Sequence, residues 1–185
     1  MAHRVCPWWL GYFLASPLRR LMLDPNKLLF PFVREGMTVL EPGPGMGFFT
    51  VELARLVGAS GRVVPLDIQP RMLAGLKRRV AKAGLLTRVD ARLISSDSLG
   101  VTDLKGKVDF TLAFAVVHEL PDASRFFTEV AQASKPGAKL LLVEPAGHVK
   151  QAYFQSELEA AGRVGLLQAE HPTVSHSLAA LLKKA

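Results

Sequence analysis

The chain has 185 residues, 49% of them hydrophobic and 21% charged, which suits one domain with a sizeable core and excludes a disordered segment. A single cysteine, Cys6, excludes an internal disulfide and a cysteine-based zinc site. The formal charge of +7 comes from basic residues scattered in Arg19-Arg20, Lys77-Arg78-Arg79, Arg88, Arg92 and Lys183-Lys184, a distribution of solvated faces rather than a dense nucleic-acid patch.

At the N-terminus, His3-Arg4 and the apolar stretch Trp8 to Leu14 loosely mimic a signal peptide. Pro7 and two tryptophans sit in that stretch and no Ala-x-Ala site follows, so a cytoplasmic protein is expected. The stretch is far short of the roughly 20 apolar residues that span a bilayer. Residues 1–36 read as two short helices. Asp24 caps the second and Pro25 opens it. Trp8, Trp9, Tyr12 and Phe13 suit either a lid over a ligand or a helix packing its aromatics on the domain. Residues 37–185 form the main body, and the whole chain is expected to be one globular domain.

From Met37 onward, short β-rich runs alternate with helical runs. Strands are expected over 37–40, 62–66, 90–94, 108–114 and 140–144. Helices are expected over 48–57, 70–83, 122–134 and 151–161, with stops at Gly58, Gly84 and Gly162 and a turn at Pro136-Gly137. This alternation predicts a parallel sheet covered on both faces. Two further runs, near 164–169 and 176–182, have no helix-length segment between them and read as a hairpin, so one strand runs antiparallel.

The first strand leads into Glu41-Pro42-Gly43-Pro44-Gly45-Met46-Gly47, and a helix follows. Glycines at alternate positions let the backbone turn sharply and let a ligand approach where a Cβ would stand. Phe48 occupies the position where the dinucleotide fingerprint requires its last glycine, which counts against a nicotinamide cofactor. Asp67 ends the second strand, where a carboxylate accepts from vicinal ribose hydroxyls, and Ile68 can pack on an adenine face. Asp97, after the third strand, can accept from an adenine amino group. Each acid also reads as a turn or helix cap. Their recurrence at successive strand ends favours one ligand at the carboxyl edge of the sheet.

Val39-Leu40-Glu41-Pro42-Gly43-Pro44-Gly45-Met46-Gly47 resembles the first motif of class I S-adenosylmethionine-dependent methyltransferases. The resemblance extends in strand–helix order from about Met37 to the C-terminus. It implies a Rossmann-like α/β/α sandwich with a seven-stranded, mostly parallel sheet and one antiparallel strand near the edge. It implies S-adenosylmethionine as cofactor, with S-adenosylhomocysteine as product. Glu41 and the backbone of Gly43, Gly45 and Gly47 would hold the methionine part, Asp67 the ribose, and Asp97 with Ser98 the adenine. Asp109 to Phe114 resembles the fourth-strand motif, so Phe114 would flank the sulfonium.

Methyl transfer from a sulfonium needs positioning and desolvation, and it needs a base only when the acceptor must lose a proton. His118 follows the fourth strand and is the candidate base, with capping or packing as its alternative role. Glu119 is a weaker candidate. Trp9, Tyr12, His118, Glu144 and His148 are the candidate acceptor-binding residues. The expected acceptor is a small molecule, as in the methyltransferases of quinone biosynthesis and arsenite that the chain resembles, although one cysteine makes arsenite doubtful. The fourth strand lacks the Asn/Asp-Pro-Pro-aromatic signature, so a nucleic-acid acceptor is not favoured. An RNA or protein methyltransferase and a non-catalytic cofactor-binding or partner subunit are the alternatives. No metal and no transmembrane segment are expected, and a homodimer is compatible with the sequence.

Overall fold

The computed structural model describes residues 23–185. Cys6, Trp9, Tyr12 and the other expected lid aromatics lie outside the described residues. The elements are α1 (Pro25–Leu29), β1 (Thr38–Pro42), α2 (Thr50–Leu56), β2 (Arg62–Asp67), α3 (Pro70–Lys82), β3 (Arg92–Leu93), β4 (Val108–Phe114), α4 (Ala123–Ala133), β5 (Ser134–Pro145), α5 (Gln151–Arg163), β6 (Leu166–Glu170) and β7 (Ser177–Lys184). The seven-stranded sheet has the order β3-β2-β1-β4-β5-β7-β6. Among the described residues, 23–94 and 95–185 form two compact units.

In the first unit, Asp24 caps α1 by accepting from the backbone N–H groups of Asn26 and Lys27 at 2.9 and 3.4 Å. β2 pairs in parallel with β1 and with β3. Val39, Leu40, Val63 and Val64 are all buried, as the apolar runs require of strands covered on both faces. Proline begins α3, whose apolar stripe Met72, Leu73, Leu76 and Val80 is buried. β3 is shorter than the expected 90–94, although Asp90 N–H and Ile94 N–H still bond to Val63 and Asp67 carbonyls. It is the edge strand and Leu93 is exposed, so little burial holds the rest of it extended.

In the second unit, β4 and β5 are parallel, and β7 runs antiparallel to both β5 and β6. The expected hairpin is therefore present, with its second strand inserted beside β5. Two expectations are corrected. Pro136-Gly137 is not a turn before a strand but an interruption within β5. The register steps from Val108 opposite Ser134 to Phe110 opposite Lys139, so residues 135–138 bulge out. Gly162 does not stop α5, which runs to Arg163; Gly165, at φ +78°, provides the left-handed turn instead. Phe126 and Phe127 on α4 meet edge to face at 5.1 Å, both buried. Among the described residues no helix is long and apolar enough to cross a membrane.

Candidate functional site

The glycine loop lies in the first unit. β1 continues through Glu41 and Pro42, and Gly43 N–H bonds to Leu66 C=O at 3.0 Å, tying the loop to the end of β2. Gly47 N–H closes a turn on Pro44 C=O at 3.1 Å. Gly45 and Gly47 both have positive φ, +55° and +81°, but their surroundings differ. A Cβ on Gly45 would meet nothing within 4 Å, whereas one on Gly47 would lie 3.1 Å from the Leu76 Cγ. The first therefore leaves open space, and the second allows α3 to pack closely.

Glu41 is buried and its Oε2 accepts from the Thr50 hydroxyl at 2.6 Å, while Oε1 has no hydrogen-bond partner. Desolvation pushes this carboxyl up to about 8, against the lowering effect of the Thr50 bond. Since the folded value lies above the unfolded one, the stability Glu41 contributes is full below the carboxylate range near 4.5 and is lost as pH rises through about 8. Glu41→Gln is therefore expected to stabilise the ligand-free protein at pH 9 by about 2–4 kcal/mol and to leave it little changed at pH 4. Urea denaturation at the two pH values measures this. Equal effects at both would show that Glu41 is not a buried, desolvated acid.

Asp67 closes β2. It is buried, and its Oδ1 accepts from Gln69 N–H at 2.8 Å, which fixes the strand-to-helix turn. Ile68 beside it is exposed.

The remaining candidates lie in the second unit. Asp97 is exposed in the turn closed by the Ser95–Ser98 bridge, and the Ser95 side chain holds its carboxyl below the usual range. The Ser98 hydroxyl donates to Glu129 Oε2 at 3.1 Å and accepts from Gly100 N–H at 3.1 Å. Leu99 N–H donates to the same Glu129 oxygen at 2.8 Å. Ser98, expected at the adenine, and Glu129, which the sequence reading did not single out, thus build this turn.

Phe114, half-buried, ends β4. Ala115 follows at φ +55°, a left-handed conformation costly for a residue with a Cβ, and its N–H bonds to Val143 C=O at 2.7 Å. That sharp turn feeds the 3-10 turn Val117–Glu119 carrying His118. Glu144, at the end of β5, is 0% exposed and spends both oxygens on this turn. Oε1 accepts from Val117 and His118 N–H at 2.8 and 3.3 Å, and Oε2 meets His118 Nδ1 at 2.5 Å. A carboxylate only accepts, so Nδ1 carries the hydrogen and Nε2 presents its lone pair. The Glu144 bond raises the His118 pKa above the ordinary 6.5, outweighing desolvation.

Glu144, expected to line an acceptor pocket, therefore holds the candidate base. His148 is exposed and its backbone N–H closes a turn on Pro145 C=O. His171 lies beside the Gln168 amide, and His176 sits at φ +54° before β7. Two residues near the His118–Glu144 pair were not picked out by sequence. Glu157 is buried on α5, and Tyr153 lies one turn before it; desolvation raises both pKa values, and Glu144 adds to each. The signal was present, because position 157 falls on the stripe of Phe154 and Ala161. Among the described residues no group of three or more His, Cys, Asp or Glu could hold a metal ion.

The family described as the methyltransferase domain matches residues 33–177. The ubiquinone/menaquinone biosynthesis C-methyltransferase UbiE of Escherichia coli is 28% identical over 141 residues, covering 74% of this chain and 55% of that protein. The chain thus spans about half the length of the curated relatives it matches. An S-adenosylmethionine-dependent methyltransferase from Aquifex aeolicus superposes with a TM-score of 0.85 at 25% identity, covering 98% of this chain and 100% of that one. Another from Mesorhizobium loti shares the fold with a TM-score of 0.69 at 16% identity, covering 86% and 95%. The fold is thus that of the class I S-adenosylmethionine-dependent methyltransferases. The chain belongs to the methyltransferase-domain family.

Proposed function

We propose that the protein transfers a methyl group from S-adenosylmethionine to a small molecule that must lose a proton, with His118 as general base. The observation that carries the base is the 2.5 Å approach of His118 Nδ1 to the buried Glu144 carboxylate. Glu144 fixes the tautomer, stabilises the imidazolium once the proton arrives, and leaves Nε2 to take it. When bound, the cofactor supplies an activated methyl group on its sulfonium.

The residues of the first unit fit that cofactor. Glu41 Oε1 is a buried acceptor without a donor among the described residues, and the cofactor's ammonium would supply one and draw Glu41 into its ionised form. The open space at Gly45 admits the methionine end. Asp67, already oriented by Gln69 N–H, would take the ribose, and Ile68 the adenine face. Asp97, exposed and held ionised, suits the adenine amino group better than Ser98, whose hydroxyl is committed to Glu129. Residues 1–36 would serve as the lid of a domain formed by residues 37–185, with Trp9, Tyr12 and His148 contacting the acceptor.

Calorimetry with S-adenosylmethionine and with NAD, followed by labelled-methyl transfer to a panel of small phenols and amines, tests the proposal. S-adenosylmethionine should bind, and Asp67→Ala should weaken it tenfold or more with an unchanged circular-dichroism spectrum. NAD binding without S-adenosylmethionine binding would refute the cofactor assignment. Label entering only RNA or protein would refute the small-molecule acceptor, and cofactor binding with no transfer to any substrate would refute catalysis.

A further inference from the structure

We propose that Glu157 forms an acceptor-binding subsite for a protonated amine beside the His118–Glu144 pair. It rests on the reading of His118 as base and names the class of acceptor that base would serve.

Position 157 lies on the buried stripe of α5 with Phe154, Ala160 and Ala161, where packing calls for an apolar side chain. It holds a glutamate only 1% exposed, and neither of its carboxyl oxygens has a hydrogen-bond partner among the described residues. Glu144 in the same unit shows what a satisfied buried acid looks like, with two backbone donors and an imidazole on its two oxygens. Buried polar groups are nearly always bonded, and leaving one unbonded is costly. A residue that breaks the local pattern with no compensating bond inside the fold marks a place for a ligand.

The charges around Glu157 say which ligand. Glu157 senses Glu144 and His118, His118 senses Glu144, Glu119 and Glu157, and Tyr153 senses Glu157 and Glu144. Among the described residues no lysine or arginine acts on any of the three. A phosphate or carboxylate would be repelled by Glu144 and Glu119, with the His118 imidazole as the one offsetting cation among the described neighbours. An ammonium would bring N–H donors to the two orphan oxygens and a positive charge to an acidic surround. His118 and Tyr153 are the partly exposed members through which such a group would enter.

Binding then has a defined proton balance. Burial and Glu144 push the Glu157 carboxyl up to about 8, so it carries its proton at neutral pH. An arriving ammonium keeps its three protons, Glu157 releases one to solvent, and an ion pair forms. A neutral phenol would hydrogen-bond to the protonated carboxyl with no release.

The test is calorimetry of the full chain at pH 7 with benzylamine as probe, in two buffers of different ionisation enthalpy, with and without S-adenosylmethionine. Benzylamine should bind with release of close to one proton, phenol should bind at least tenfold more weakly and without release, and benzoate should not bind. Glu157→Gln and Glu157→Leu should weaken the amine tenfold or more and abolish the release, with cofactor affinity unchanged. Glu157→Leu should also melt higher at pH 9, which shows that it folds. No amine binding, binding without proton release, equal binding by the variants, or benzoate binding as tight as the amine would each overturn the subsite. Failure to bind S-adenosylmethionine would overturn the cofactor reading alone, since the amine titration without cofactor still decides the subsite.

Discussion

His118→Ala is expected to lower kcat by about 10²–10⁴-fold, the usual contribution of a positioned general base, with little change in S-adenosylmethionine affinity. The pH profile gives the sharper test. A base acts in its neutral form, and Glu144 stabilises the charged form and raises the His118 pKa above 6.5. The acid limb of kcat should therefore lie above that of a free imidazole, with the rate rising as pH climbs through the raised value. The stability from the His118–Glu144 pair has the opposite sign. It is fully present below the unfolded imidazole value and is lost as pH rises through the folded one. Activity should grow in the window where this contribution to stability fades. Glu144→Gln removes the main cause of the shift, so its acid limb should move to lower pH while kcat also falls, because the amide no longer stabilises the imidazolium. Steady-state rates from pH 5 to 9 measure both. An acid limb that stays in place in Glu144→Gln, or an unchanged kcat in His118→Ala, would remove His118 from the base role.

The strands and helix caps were legible because they depend on neighbouring residues. Val108 to Phe114 is an unbroken apolar-rich run and forms β4 with those bounds; Asp24-Pro25 and Pro70 open helices where cap chemistry places them. What the sequence hides is register. His118 and Glu144 are 26 positions apart, and they meet because β4 and β5 pair with Phe114 opposite Val143. Periodicity identifies both strands but not that alignment, so Glu144 read as a pocket residue rather than as the partner of the base. The bulge at residues 135–138 escaped for a related reason, since Pro136-Gly137 signals a break without saying whether the strand resumes. Glu157 escaped because an acid in a helix reads as solvent-facing, and only the burial of the positions around it shows that it is not. In the glycine loop, sequence located the glycines but could not tell which of them opens on free space and which faces α3.

That distinction predicts opposite failures for two single-methyl substitutions in one loop. Gly45→Ala places a methyl group where nothing lies within 4 Å, so its structural cost is the left-handed backbone at φ +55° alone, roughly 1–2 kcal/mol. Its larger effect falls on the ligand. The new methyl occupies the open space proposed for the cofactor, and S-adenosylmethionine should bind tenfold or more weakly, about 1.4 kcal/mol or more. Gly47→Ala carries the same backbone cost at φ +81° and adds a contact at 3.1 Å to Leu76 Cγ, with Leu76 Cα at 3.5 Å. Leu76 is fully buried and lies on α3, so neither the side chain nor the backbone gives way easily. Overpacking of that kind adds about 1–3 kcal/mol, for a total near 2–5 kcal/mol. In a chain of this size that lowers Tm by roughly 5–15 °C. Gly47→Ala should therefore be the less stable variant, and Gly45→Ala the more impaired in binding relative to its loss of stability. Thermal melts of the ligand-free variants, paired with S-adenosylmethionine titrations well below either Tm, separate the two effects. If Gly45→Ala binds the cofactor as tightly as the parent chain, the open side of the loop is not where the ligand approaches, and the cofactor must be held through other contacts.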